Sequence, residues 1–328
     1  MRTLLSKTID LLRRHPILWL PALLAEFATF LLHWLVNPLQ RYLSRQLLLW
    51  LTESHSVLGG AAEHVAPSGS TLVKLNLLSF PIAFGTEFLG ILFSAAALVA
   101  TAALLRSLAE SRPATLPAAL PQIAASRRRI VHFALTLLGL NIVSECIYGF
   151  ATPIFMPLVS TLQSGIEHTF LLSIASSMEL EKLNLIGNLV SHLWVLPVVL
   201  CIAWLIAPLQ ARLTQPSGSA LTPPQAMQAR IATILATLTL SLLSFLISML
   251  LAMLFQSDVL PASLAIHFAI GVVRTLLTSL PLALLYIALT LIAAPSIACI
   301  PTSAPTETTP PGNPAEDPSD ELRFDPLR

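Results

Sequence analysis

Apolar residues gather into six long runs separated by shorter polar segments, and each run is close to the roughly 20 residues a helix needs to cross a hydrocarbon core of about 30 Å. The runs place helices at Ile17 to Val36, Asn76 to Leu105, Ile130 to Phe150, Ile186 to Ala207, Ile231 to Phe255 and Ile266 to Ala294. A pattern that recurs this often excludes a lone signal peptide and a set of buried core helices. The expected fold class is therefore all-α, a polytopic membrane protein with six transmembrane helices.

Composition agrees. Only 11% of the 328 residues are charged, against roughly 25% in a soluble domain, and the connections between runs are too short to hold a folded soluble domain. The first run follows Arg2, Lys7, Arg13 and Arg14 as the apolar part of a secretory signal would. It is longer than such a signal, contains Glu26 and lacks a small-x-small cleavage pattern, so it is expected to stay as an anchor.

Positively charged connections are retained in the cytoplasm. Four Lys and Arg precede the first run, five lie between Arg106 and Arg129, two are Arg212 and Arg230, and two fall in the tail, which makes thirteen of eighteen on one side. Both termini are accordingly expected in the cytoplasm, with a prokaryotic cytoplasmic membrane as the setting. Residues 1–300 read as one membrane domain. Residues 301–328 hold seven prolines, six acids and two arginines, and read as a disordered cytoplasmic tail. Cys146, Cys201 and Cys299 have no partner at metal-ligand spacing and read as apolar filler.

Two outer connections are amphipathic. Leu39, Leu43, Leu47 and Trp50 share one helical face opposite Gln40, Arg41, Ser44 and Arg45, as in a helix lying in the interface. Val159 to Asn184 repeats the idea with Leu162, Ile166, Phe170 and Ile174. On the cytoplasmic side, Pro121-Gln122 with Arg127 precedes the third run, Pro224-Gln225 with Arg230 precedes the fifth, and Ser6 to Arg14 form a looser version before the first. The chain thus divides into three possible units, 1–105, 106–208 and 209–300, each a surface helix followed by a helical hairpin. Cations in such helices attract anionic lipid, which makes Arg13, Arg14, Arg127, Arg128 and Arg129 candidate headgroup contacts beside their role as topology signals.

The opening Ile9-Asp10-Leu11-Leu12-Arg13-Arg14-His15-Pro16-Ile17-Leu18-Trp19-Leu20-Pro21 and the basic surface helix before each hairpin resemble a group of prokaryotic six-helix membrane proteins. That group includes the membrane domain attached to some glycerophosphodiester phosphodiesterases. The resemblance implies a shared architecture. The hydrolase part of such fusions has no counterpart in this sequence, so the resemblance implies no catalytic residue.

Ionisable groups inside spans are costly and are default functional candidates. They are Glu26, Glu87, Glu145 and Arg274. Helical spacing puts Glu26, Thr29 and His33 on one face of the first span, and Glu87, Gly90 and Ser94 on one face of the second. Asn141 and Glu145 stand one turn apart on the third, His192 is on the fourth, and Arg274 is on the sixth. Rise per residue puts Glu26 and Glu87 near the midplane, with no cation at their depth, and Glu145 and Arg274 in the outer third, where an ion pair is expected. The acids read first as interhelical ties, Glu26 bonded to Thr29 or His33, and second as the lining of a polar cavity.

The sequence holds no phosphate-binding glycine loop, nucleophile elbow or paired-histidine zinc helix. Glu53, His55, Glu63, His64, Glu167 and His168 in the outer connections read as solvated groups, so neither a metal nor a cofactor is expected. The leading expectation is a non-catalytic membrane or scaffold module, not an enzyme, with the bilayer and other membrane proteins as candidate partners and no role for nucleic acid. The alternative is a small-solute or lipid transporter working through the intramembrane carboxylates.

Overall fold

A chain segment in lipid must satisfy its backbone groups within itself, so apolar runs of this length become helices. The computed structural model describes residues 2–56, 69–166, 179–215, 221–256 and 264–299. Among them there is no strand. Eight helices follow in order: α1 (Arg2–Arg14), α2 (Leu20–Ser56), α3 (Gly69–Ala109), α4 (Leu116–Ala125), α5 (Arg127–Ile166), α6 (Glu179–Leu213), α7 (Pro223–Gln256) and α8 (Leu264–Ala293). Short 3-10 turns at Pro16–Leu18 and Pro295–Cys299 flank the bundle. The tail, residues 301–328, lies outside the described residues.

Six helices, α2, α3, α5, α6, α7 and α8, contain segments long and apolar enough to span, and all six coincide with the runs read from sequence. Their outward faces carry Leu35, Leu135, Leu205, Leu242, Leu250 and Val273, each more than half exposed. An apolar band of this extent has hydrocarbon, not water, as its solvent. The chain is an integral, multi-pass membrane protein.

Two expectations about the flanks need correction. The helices α2, α3, α5 and α6 hold 37, 41, 40 and 35 residues, so at about 1.5 Å per residue each exceeds 50 Å and outruns the hydrocarbon core. Leu39 to Trp50 therefore continue α2, past Pro38, rather than forming a separate interfacial helix. Val159 to Ile166 continue α5 in the same way, residues 167–178 lie outside the described ones, and Glu179 to Asn184 open α6. Amphipathic spacing is the same in a flat helix and in the extension of a span, and an unbroken hydrogen-bond ladder propagates more readily than a new helix nucleates. At the other end, α1 and α4 are separate surface helices, whereas Pro224 to Arg230 form the first turns of α7 without a break. Prolines at the first helical positions of α7 suit continuation, since their missing N–H groups fall where no intrahelical bond is made.

Helices α3 and α8 are central, with 67% and 61% of their span windows buried, against 28% or less in the other four. Small residues allow this. Ala95, Ala97, Ala100, Ala102 and Ala103 are buried along α3, and close backbone approach supplies dispersion where lipid gives no hydrophobic drive between helices. Helix α2 packs against both. Gly271 of α8 leaves room for the Phe30 ring, Gly90 of α3 for Thr29, and the Trp19 Nε1–H donates to Ser279 Oγ at 2.9 Å.

Candidate functional site

The intramembrane polar residues fall into two groups. In the first, antiparallel packing of α2 on α8 brings Glu26 to Thr278, whose hydroxyl lies 3.1 Å from Glu26 Oε2 and 3.0 Å from the Arg274 carbonyl. The Thr275 carbonyl is a third acceptor at 3.3 Å, and the hydroxyl has one proton for the three. Arg274 stands one turn farther along α8, acts on Glu26 electrostatically, and donates to Ser244 Oγ of α7 at 3.1 Å. Among the described residues no ion pair joins Arg274 to Glu26. Glu26 does not turn to Thr29 either, since the Thr29 hydroxyl bonds the Ala25 carbonyl of its own helix at 2.9 Å.

The second group is a chamber of about 250 Å³ within the bundle. It is walled by α2 through Thr29 and His33, by α3 through Glu87, Gly90 and Ser94, by α5 through Phe133 and Leu137, by α6 through Gln210 and by α8 through Tyr286. Asn141 Nδ2–H of α5 donates to Glu87 Oε1, and the Tyr286 hydroxyl is hydrogen-bonded to Ser94. His33 is exposed and marks the mouth. Leu98, Phe133 and Tyr286 are buried and form the floor. Glu87 thus borders a cavity with a largely apolar lining in which Thr29, His33, Ser94, Gln210 and Tyr286 are the other polar groups.

Beyond the floor, at the end bearing α1 and α4, a girdle of hydrogen bonds ties the helices together. Arg106 donates to the Thr214 carbonyl, Arg129 to the Gln215 carbonyl at 2.7 Å, Gln215 Nε2 to the Ala293 carbonyl at 3.1 Å and Gln225 Nε2 to the Ile292 carbonyl at 3.0 Å. The last carbonyls of a helix have no intrahelical partner. Here Gln215 and Gln225 supply partners to the last carbonyls of α8, while Arg106 and Arg129 hold the carbonyls of the two residues that follow α6.

Sequence reading placed some of these residues and missed others. Thr29, His33 and Glu87 meet in the chamber, with Asn141 bonded to Glu87 at its wall. Glu145 is exposed on α5 near the end of its span, and among the described residues no ion pair joins it to Arg274. A carboxylate so placed can extend toward the headgroups, while Asn141, one turn deeper, is the residue that meets α3. The His192 side chain lies outside the described residues, as do those of Glu53, His55, Glu63, His64, Glu167 and His168. Of the arginines assigned to headgroups, Arg13, Arg127 and Arg128 are exposed, Arg14 pairs with Asp10 at 3.0 Å, and Arg129 instead turns inward to the α6 end. Tyr286 and Gln210 were missed. Their signal was weak but physical, since a tyrosine or glutamine within an apolar run needs a partner for its polar atoms. Among the described residues no group of three or more potential metal ligands comes together.

Compared with known proteins, the chain matches no family model, no curated protein and no solved structure.

Proposed function

We propose that this protein is a membrane carrier whose chamber binds one small polar solute bearing a hydrogen-bond donor or a positive charge. The observation that carries the reading is the convergence of five helices on one cavity that brings Glu87 and His33 together with Thr29, Ser94, Gln210 and Tyr286. Pockets for drug-sized ligands usually exceed about 300 Å³, so this one suits a smaller molecule. Glu87 supplies the acceptor, Thr29, Gln210 and Tyr286 supply orienting groups, and the hydrogen-bonded girdle closes the end opposite the mouth. With both termini in the cytoplasm of a prokaryotic cell, as the Lys and Arg distribution favours, the mouth faces outward. The test is flux in proteoliposomes offered small primary and quaternary amines. Saturable uptake lost in Glu87→Gln, with the variant still folded, supports the carrier; equal flux in wild type, variant and empty liposomes defeats it.

A second reading, a non-catalytic scaffold module, has its own observation. Glu26 and Glu87 are each hydrogen-bonded to a different helix, through Thr278 and Asn141, and such bonds serve as interhelical ties. That reading expects Glu26→Gln and Glu87→Gln to lower stability without altering any flux, and another membrane protein to co-purify in stoichiometric amount.

A further inference from the structure

We propose that Arg230 of α7, seated on Trp204 of α6, is the receptor for the phosphate of an anionic phospholipid. The Arg230 guanidinium carbon lies 4.8 Å from the centroid of the Trp204 ring. Its Nε is buried and has no hydrogen-bond partner. Among the described residues no carboxylate pairs with it. It differs from the exposed Arg13, Arg127, Arg128 and Arg212 in being partly buried, and from Arg106, Arg129 and Arg14 in lacking a hydrogen-bonded partner.

An unpaired cation within a spanning helix is costly, and cations there mark ligands or partners. The indole holds the planar group by cation–π attraction, and the terminal nitrogens form a rigid fork. A fork of two N–H donors matches two oxygens of a phosphate, which a lysine ammonium does not. Depth fits a headgroup. Arg230 stands seven residues into α7, about 10 Å along its axis, and a side chain of this length can extend to the interface while its stem stays in hydrocarbon. Trp is likewise at home at that level.

The surroundings select a lipid over a soluble anion. Leu205 and Cys201 beside Trp204 are exposed on α6, and Met227, one turn from Arg230, is 46% exposed on α7. These exposed apolar side chains lie within a turn of Trp204 and Arg230 on the same two helices, a surface that acyl chains cover and a soluble anion does not. The site is separate from the chamber, and its argument does not depend on transport.

The test is lipid binding to the full chain in a mild zwitterionic detergent, titrated with phosphatidylglycerol or phosphatidylcholine, with bound lipids counted by native mass spectrometry. Wild type is expected to bind one phosphatidylglycerol about tenfold more tightly than phosphatidylcholine. Arg230→Gln is expected to abolish that preference, and Arg230→Lys to retain only part of it. The double variant Arg127→Gln/Arg128→Gln is expected to keep it, because those exposed arginines contribute only diffuse attraction. Thermal unfolding without lipid establishes that each variant is folded; should Arg230→Gln fail that check, Trp204→Leu, which removes the platform, is expected to lower the preference instead. An undiminished preference in the folded Arg230 or Trp204 variant overturns the proposal, as does full displacement of the lipid by millimolar inorganic phosphate.

Discussion

A methyl group added at Gly271 has a calculable consequence. A Cβ there would lie 2.0 Å from Cε2 and 2.5 Å from Cζ of Phe30, where ordinary contacts fall at 3.4–4 Å. The ring cannot simply swing away. Phe27 stands 6.2 Å from it and Phe268 5.4 Å, and Phe268 is itself packed edge-on against Trp34 at 5.3 Å. Overpacking of this kind costs about 1–3 kcal/mol, while replacing glycine by alanine in a helix returns about 1 kcal/mol. Gly271→Ala should therefore destabilise by up to about 2 kcal/mol overall. In a Phe30→Ala background the obstacle is gone, and the same substitution should be neutral or stabilising by up to about 1 kcal/mol. The assay is a double-mutant cycle of unfolding in bicelles, with a coupling of about 1–3 kcal/mol between the two positions. If Gly271→Ala costs the same with and without the Phe30 ring, the close seating of α2 on α8 described above is wrong.

Three further outcomes follow from the hydrogen bonds. Asn141→Ala removes the donor to Glu87 and should cost about 1–2 kcal/mol in the same unfolding measurement, with Asn141→Gln recovering little because the longer side chain misplaces the amide. Trp19→Phe breaks the bond to Ser279 while keeping the ring, and should lower stability by about 0.5–1 kcal/mol, an effect that vanishes in a Ser279→Ala background. Gln215→Leu removes the donor to the Ala293 carbonyl and should speed amide hydrogen exchange in the last turn of α8, while exchange in the middle of α3 stays unchanged.

The six spans were legible in the apolar runs alone, because hydrocarbon thickness fixes how many apolar residues a crossing helix needs, and an unbroken apolar run of that length meets its own backbone hydrogen bonds only as a helix. Equally legible were the residues that carry intramembrane polarity, since Glu26, Glu87, Asn141 and Arg274 are visible as interruptions of apolar runs. Helical spacing further assigned each to a face of its own helix, and the grouping of Thr29 with His33, and of Glu87 with Ser94, needed nothing more. The partners came from how the helices pack. Periodicity says which way a side chain points from its helix axis, but not which helix lies opposite or at what axial offset; those depend on where small residues let backbones approach. Hence Glu26 meets Thr278, 252 residues away, rather than its near neighbour Thr29, and Glu87 meets Asn141 while Glu145 is left facing outward. Arg129 and Arg230 looked alike as basic residues opening a span. Packing turned Arg129 onto the Gln215 carbonyl just past α6 and laid Arg230 on Trp204, because only the folded bundle places that carbonyl beside one and an indole beside the other.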